Sequence, residues 1–303
     1  MTDIKALDYN TLQNLIVEVM GTGTGDYGYG QTTISSEVLQ GNIITEQQWD
    51  NLKFDIINAK LHQDGVLPNI VEVTAGEVIG ESSSDAKVNY ANLIDNIRNN
   101  RFDLSPAQST VSTLGVKTYL STWSSSAILD LTMTFANAND ARYFFNSGGK
   151  ISFTPERTGG SSTLQNNAWT NLLTTAGTII FSQTTNEIGF YDLTDSFQTI
   201  LVETSSAPYA DNKIQLEAKC DVADNTLGTA TAVDLKLSLL DLYVDPDVIS
   251  GFSESENPPG DLVDGTLTIT VEETKASGTL RPAGTGPFSI TSPSYTISNI
   301  VAS

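Results

Sequence analysis

The sequence predicts an α+β fold that is mainly β. It has an N-terminal helical segment, an antiparallel β-sandwich-like body and a small C-terminal β module. Three observations carry this prediction. Apolar residues recur at helical spacing up to about residue 105 and switch to period-two alternation beyond it. Charged residues are only 17% of the chain, and 23 glycines punctuate it. The stretch SESENPPGD, Ser253 to Asp261, has the charge, prolines and glycine of a linker. The expected units are therefore 1–105, 106–250 and 251–303.

The elements follow in order. Residues 8–20 place Leu12, Leu15, Ile16 and Val19 on one helical face, with Asp8 as N-cap and Gly21 as stop. Residues 46–62 form a second helix, because Thr45 and Gln48 have capping-box spacing and Trp49, Leu52, Ile56 and Ala59 share a face. Residues 85–99 form a third, with Val88, Ala91, Leu93 or Ile94, and Ile97 inward. Pro106 then limits further helix. Strands are expected at Ala127 to Phe135, Ile151 to Phe153, Thr178 to Phe181, Gln198 to Glu203, Lys213 to Asp221 and Ala232 to Val244. Short helices interrupt at Asn139 to Asn146 and Asn167 to Thr175, each closed by glycine. The last segment holds one clear strand, Leu267 to Glu272, and an alternating end through Tyr295, Ile297 and Ile300.

Composition narrows the function. The net charge is −21, and acidic residues are spread along the whole chain. Such a field repels a phosphate backbone, so a nucleic-acid partner is not expected. No segment reaches the ~20 apolar residues a membrane helix needs, so no membrane partner is expected either. The N-terminus has neither the basic region nor the apolar run of a signal peptide. Cys220 is the only cysteine, which rules out an intrachain disulfide.

The first 63 residues carry the most distinctive motifs: GTGTGDYGYGQ (Gly21 to Gln31), VLQGNIITEQQW (Val38 to Trp49) and FDIINAKLHQ (Phe54 to Gln63). Gly23, Gly25 and Gly28 have the spacing of a dinucleotide fingerprint, but that motif requires a strand before it and a helix after it. Here a helix precedes it, so the loop reads as a tight turn in which Tyr27 and Tyr29 supply contact area. His62 is the one histidine and reads as a cap on helix carbonyls. Cys220 lies on the apolar side of an alternating run and reads as a buried thiol. Asp221, Asp224 and Asn225, and the Asp245-Pro-Asp247 turn, lack calcium-loop spacing and read as turn residues. ARYFFNSGGKISF, Ala141 to Phe153, reads as a core corner or as an aromatic surface for another subunit.

Together GDYGYGQ, VLQGNIITEQQW, INAKLHQ, ARYFFNSGGKISF and AWTNLLTTAGTIIF resemble virion structural proteins of tailed bacteriophages, above all those of marine and cyanobacterial phages with contractile tails. The likeness covers roughly residues 8–200 in ordered patches. It implies a non-enzymatic structural component of a phage tail, neck, baseplate or fibre, assembled in the host cytoplasm, with no cofactor, metal or catalytic residue. Its implied partners are copies of itself and other virion proteins. Tyr27, Tyr29, Gln31, Trp49, His62, Tyr143 and Phe144 are the expected interface residues. The alternative is a carbohydrate- or receptor-binding module contacting a host-surface glycan, with Trp123, Trp169 or Tyr295 stacking on sugar. A polysaccharide hydrolase is a third reading, for which no carboxylate pair stands out.

Overall fold

A computed structural model describes residues 5–243 and 262–303, apart from 78, 81, 83, 283 and 284. The fold is mixed α+β and mainly β, with helices first and antiparallel sheets after.

Helices α1 (Ala6–Met20), α2 (Glu46–Asp64) and α3 (Ala86–Asn99) pack against one another in all three pairings. The α2 capping box forms as its sequence predicts. The Thr45 hydroxyl accepts from Gln48 N at 3.3 Å, and Gln48 Oε1 accepts from Thr45 N at 2.8 Å. Gly65 ends the helix in the left-handed region, at φ 74°. Helix α1 starts earlier than expected. Lys5 is its N-cap, and Asp8 sits three residues in, accepting from Lys5 N at 3.1 Å. In α3 the buried stripe is Ala86, Tyr90, Ile94 and Ile97. Tyr90 takes an inward place the sequence reading missed, because its ring packs edge-on against Trp49 at 5.3 Å.

Among the described residues, ten strands form two sheets. Sheet I runs β1 (Ser109–Tyr119), β8 (Thr266–Ala276), β3 (Lys150–Thr158), β4 (Ile179–Phe181). Sheet II runs β10 (Val301–Ala302), β2 (Ser126–Thr134), β7 (Ala232–Leu240), β6 (Lys213–Cys220), β5 (Gln198–Thr204), and β9 (Ser294–Ile297) also pairs with β2. Every pairing is antiparallel. Period-two burial is clearest in β6, where Ile214, Leu216, Ala218 and Cys220 are all inside. Helices α4 (Ala138–Asn146) and α5 (Leu164–Ala176) fill the connections on either side of β3. The buried faces of both sheets and of α1–α3 belong to one apolar cluster.

Two expectations on order change. Strand β1 was not expected, and β3 and β8 are longer than their apolar runs suggest. Among the described residues, the C-terminal strands build no sheet of their own. Strand β8 lies between β1 and β3, while β9 and β10 extend sheet II. At the centre of sheet I, β1 and β3 satisfy the backbone groups of β8 on both edges. The 250/251 boundary, the Ser253 to Asp261 linker, Val244 and the Asp245-Pro-Asp247 turn lie outside the described residues.

Candidate functional site: the glycine-tyrosine loop and the N-terminal groove

The loop Gly21 to Gln31 leaves α1 and folds back along its last turn. Tyr29 N donates to Val19 O at 2.8 Å, Gly30 N to Gly21 O at 2.7 Å and Gln31 N to Met20 O at 2.8 Å. These bonds satisfy carbonyls that a helix end leaves open. The turns between them need glycine: residues 23, 25, 28 and 30 all have positive φ.

Helix α4 closes the loop from the other side. Arg142 is buried, and its guanidinium donates to three main-chain carbonyls: Gly25 at 2.8 Å, Tyr27 at 2.7 Å and Thr22 at 3.4 Å. Asn146 Nδ2 donates to Gly28 O at 3.2 Å, and the Tyr191 hydroxyl donates to Gly25 O at 2.8 Å. The loop therefore turns carbonyl oxygens toward a cation. A phosphate cradle needs the opposite polarity, a ring of N–H donors. Arg101 adds an ion pair to Asp26, and the Arg98 and Arg101 guanidinium groups lie 4.8 and 4.6 Å from the Tyr27 ring centre.

The expected interface residues are largely spent inside the chain, which corrects the expectation that they face a neighbour. Tyr29 is 0% exposed, donates to Arg101 O at 2.6 Å and accepts from Gln63 Nε2 at 2.9 Å. Gln31 pairs its amide with Ser289 in both directions, at 2.9 Å each, tying the loop to the C-terminal segment. Trp49 is buried between Tyr9 and Tyr90. Phe144 is buried with Phe135 and Phe145. Tyr27 and Tyr143 are half-buried, and the Tyr143 ring covers Gly30. Aromatic area that would suit a partner surface instead joins the helices, the loop and α4.

His62 does not cap carbonyls. It is buried, stacked on Phe288 at 4.4 Å with a 7° interplanar angle, and 4.8 Å from the Tyr29 ring. Burial pushes the imidazole down to about 3, opposed in part by the Ser147 main chain. Cys220 is buried, its thiol donating to Val222 O at 3.2 Å, and burial raises it. Asp221 accepts from Thr231 N at 2.9 Å and Thr231 Oγ1 at 2.6 Å, and Asp224 accepts from Thr226 N at 2.9 Å. Both are turn carboxylates. Among the described residues no group of three or more His, Cys, Asp or Glu side chains is placed to hold a metal ion.

The sugar-stacking candidates also lie within the fold. Trp123 and Trp169 are buried edge-on against each other at 4.8 Å. Tyr295 is half-buried and donates to Glu273 at 2.8 Å, joining sheet II to sheet I.

What faces solvent is apolar surface near the chain's start. Leu7, Leu39 and Ile43 are 76%, 75% and 87% exposed. Leu7, Ile43, Ile44 and Ile79 line an open groove of about 960 Å³ with Trp49 among its walls and Lys5 and Glu77 at its polar rim. Asn10 holds the groove loop to α1 by a two-way amide pair with Val38, at 2.9 and 2.8 Å. Asp55, deep in α2, accepts from Ile34 N at 3.1 Å and Ser35 N at 2.9 Å, anchoring the same loop. Burial raises that carboxyl above its usual range.

Sequence reasoning missed Arg142, Asn146, Tyr191 and Gln63, the residues that hold the loop. A signal for Arg142 was present: an arginine inside the aromatic run ARYFF, in a chain with only 15 basic residues.

Among the described residues, no helix is long and apolar enough to cross a membrane. No protein-family model matches the chain, and neither the curated proteins nor the solved structures include one with significant similarity to it.

Proposed function

We propose that this chain is a particle-building subunit, a structural protein of a tailed-phage virion that works by binding its neighbours and not by turning over a substrate. The observation that carries the reading is the exposed apolar groove at the start of α1. Contiguous apolar surface left open beside a buried core marks an interaction site, and Leu7, Leu39 and Ile43 are large apolar side chains at least 75% exposed in that region. The resemblance supplies the particle, and the groove supplies a place to dock another virion protein. The glycine-tyrosine loop holds the opposite end of α1, tying it to α4 through Arg142 and Asn146. The glycan-binding alternative has less support, because Trp123 and Trp169 are inside and Tyr295 is half-buried with its hydroxyl on Glu273.

The test is quantitative mass spectrometry of gradient-purified particles from cells carrying the gene in its native context. The chain is expected at fixed stoichiometry. An Ile43→Asp chain is expected to fold with an unchanged circular dichroism spectrum and to be depleted from particles at least tenfold. Absence of the unaltered chain from particles, or full incorporation of the variant, overturns the reading.

A further inference from the structure

Strand β1 is the edge of sheet I. It spans 11 residues and pairs with β8. Among the described residues its other edge is paired with nothing. A long free edge presents unpaired N–H and C=O groups to any strand that can approach. This one also presents apolar side chains: Val111 and Val116 are 57% and 56% exposed, and Leu120 just beyond is 76% exposed. Its composition, STVSTLGVKTY, is rich in residues that favour strands.

Charge selects the occupant. The chain carries −21, so two copies repel across most of their surfaces. No acidic side chain occurs between Asp103 and Asp130, the segment that contains β1. None follows Glu273 either, and that stretch supplies β9, whose Ile297 lies against Gly115 of β1. Glu273 itself is buried under Tyr295 and Ser292. Beside β1, Glu272 of β8 is half-buried and accepts from Thr113 Oγ1 at 3.4 Å, and Lys117 is the strand's one ionic group, so a second copy meets little like charge on this flank.

We infer that two copies of this chain associate through their β1 edges, running antiparallel about a two-fold axis and joining two sheets I into one. Antiparallel pairing of identical edges is self-complementary and closes on itself, so it yields a dimer and not a filament. This rests on the particle-subunit reading and names the surface used between copies. The β-bulge between Thr113 and Gly115 breaks the β1–β8 register. It adds local twist, which limits the shared ladder to one side of the bulge.

The experiment is cysteine scanning on the full chain, with single Val111→Cys, Val116→Cys and Thr118→Cys variants under mild oxidation. Native Cys220 is buried, so the parent chain serves as the uncrosslinked control. Near a two-fold axis the same residue meets itself, so one position is expected to give a disulfide dimer on a non-reducing gel and the others progressively less. Sedimentation velocity is expected to show a dimer that Val116→Glu weakens at least tenfold and that added salt strengthens. Val116 is exposed, so its substitution leaves the fold intact, as a thermal melt checks. Equal or absent crosslinking at all three positions overturns the inference, as does an unchanged association constant for Val116→Glu. A dimer insensitive to β1 substitutions refutes this surface but leaves the subunit reading standing. Loss from purified particles with an intact β1 dimer refutes that reading alone.

Discussion

The Arg142 clasp is the strongest quantitative handle on this structure. Arg142→Ala removes a buried cation that donates to Gly25 O at 2.8 Å and Tyr27 O at 2.7 Å, with a weaker bond to Thr22 O at 3.4 Å. A hydrogen bond from a charged donor contributes ~1.5–3 kcal/mol. Two good bonds and one weak one therefore contribute about 3–6 kcal/mol. The loop can regain part of this by opening to water, so the net loss expected is about 3 kcal/mol, concentrated in residues 21–31. Through the opening equilibrium that is roughly a hundredfold change. The assay is hydrogen exchange by mass spectrometry on a peptide containing Tyr29, Gly30 and Gln31. Their amides are held by Val19 O, Gly21 O and Met20 O. Exchange there is expected to accelerate about a hundredfold in Arg142→Ala, while peptides of β6 and β7 keep their protection. Arg142→Lys is expected to fall between, because one ammonium cannot span carbonyls on both sides of the turn. Less than a threefold change at the loop in Arg142→Ala would refute the claim that this side chain holds it.

Two further predictions follow from the same region. His62 is buried with its ring held at about 3, below the 6.5 of the free side chain, so the unfolded chain takes up the proton first. The stability from neutral His62 is complete above pH 6.5 and falls as pH drops toward 3, by about 1.4 kcal/mol per unit. Tm measured from pH 7 to 4.5 should therefore drop more steeply in the parent than in His62→Phe, which keeps the stack on Phe288; parallel curves contradict this. Gly30 has φ 69°, and a Cβ there would sit 2.4 Å from the Tyr143 ring. Gly30→Ala combines left-handed backbone strain of ~1–2 kcal/mol with overpacking of ~1–3 kcal/mol. Denaturant titration should show a loss of about 2–4 kcal/mol, partly recovered when Tyr143→Ala is added, and no recovery would place the clash elsewhere.

Much of the secondary structure was legible because its signals are local. The Thr45–Gln48 capping box, the Gly21 and Gly65 stops and the alternation of β6 and β7 each depend on residues a few positions apart. Strand β1 was not legible, since no residue in it is fully buried and its alternation has no apolar phase to read. Its strand state is set by β8, whose paired residues lie 148 to 167 positions further along the chain. The loop was legible as a tight, glycine-dependent turn and not as a phosphate cradle. The side chains beside it were legible as important but not as internal. Whether Tyr29 or Trp49 faces a neighbour or the core depends on which surfaces long-range packing brings together, and local pattern does not encode that.

By itself, the sequence determined the helical start, the β-rich remainder and the acidic surface, because periodicity and charge are properties of the chain. Only the tertiary structure decided that α4 reaches back to hold the Gly21 to Gln31 loop, that β8 sits at the centre of sheet I, and that apolar surface stays open at Leu7, Ile43 and the β1 edge. The physical reason is that buried polar groups must find partners and apolar faces must find cover. The best partner for each is fixed by the whole fold, often across hundreds of residues, as in the bond between Gln31 and Ser289.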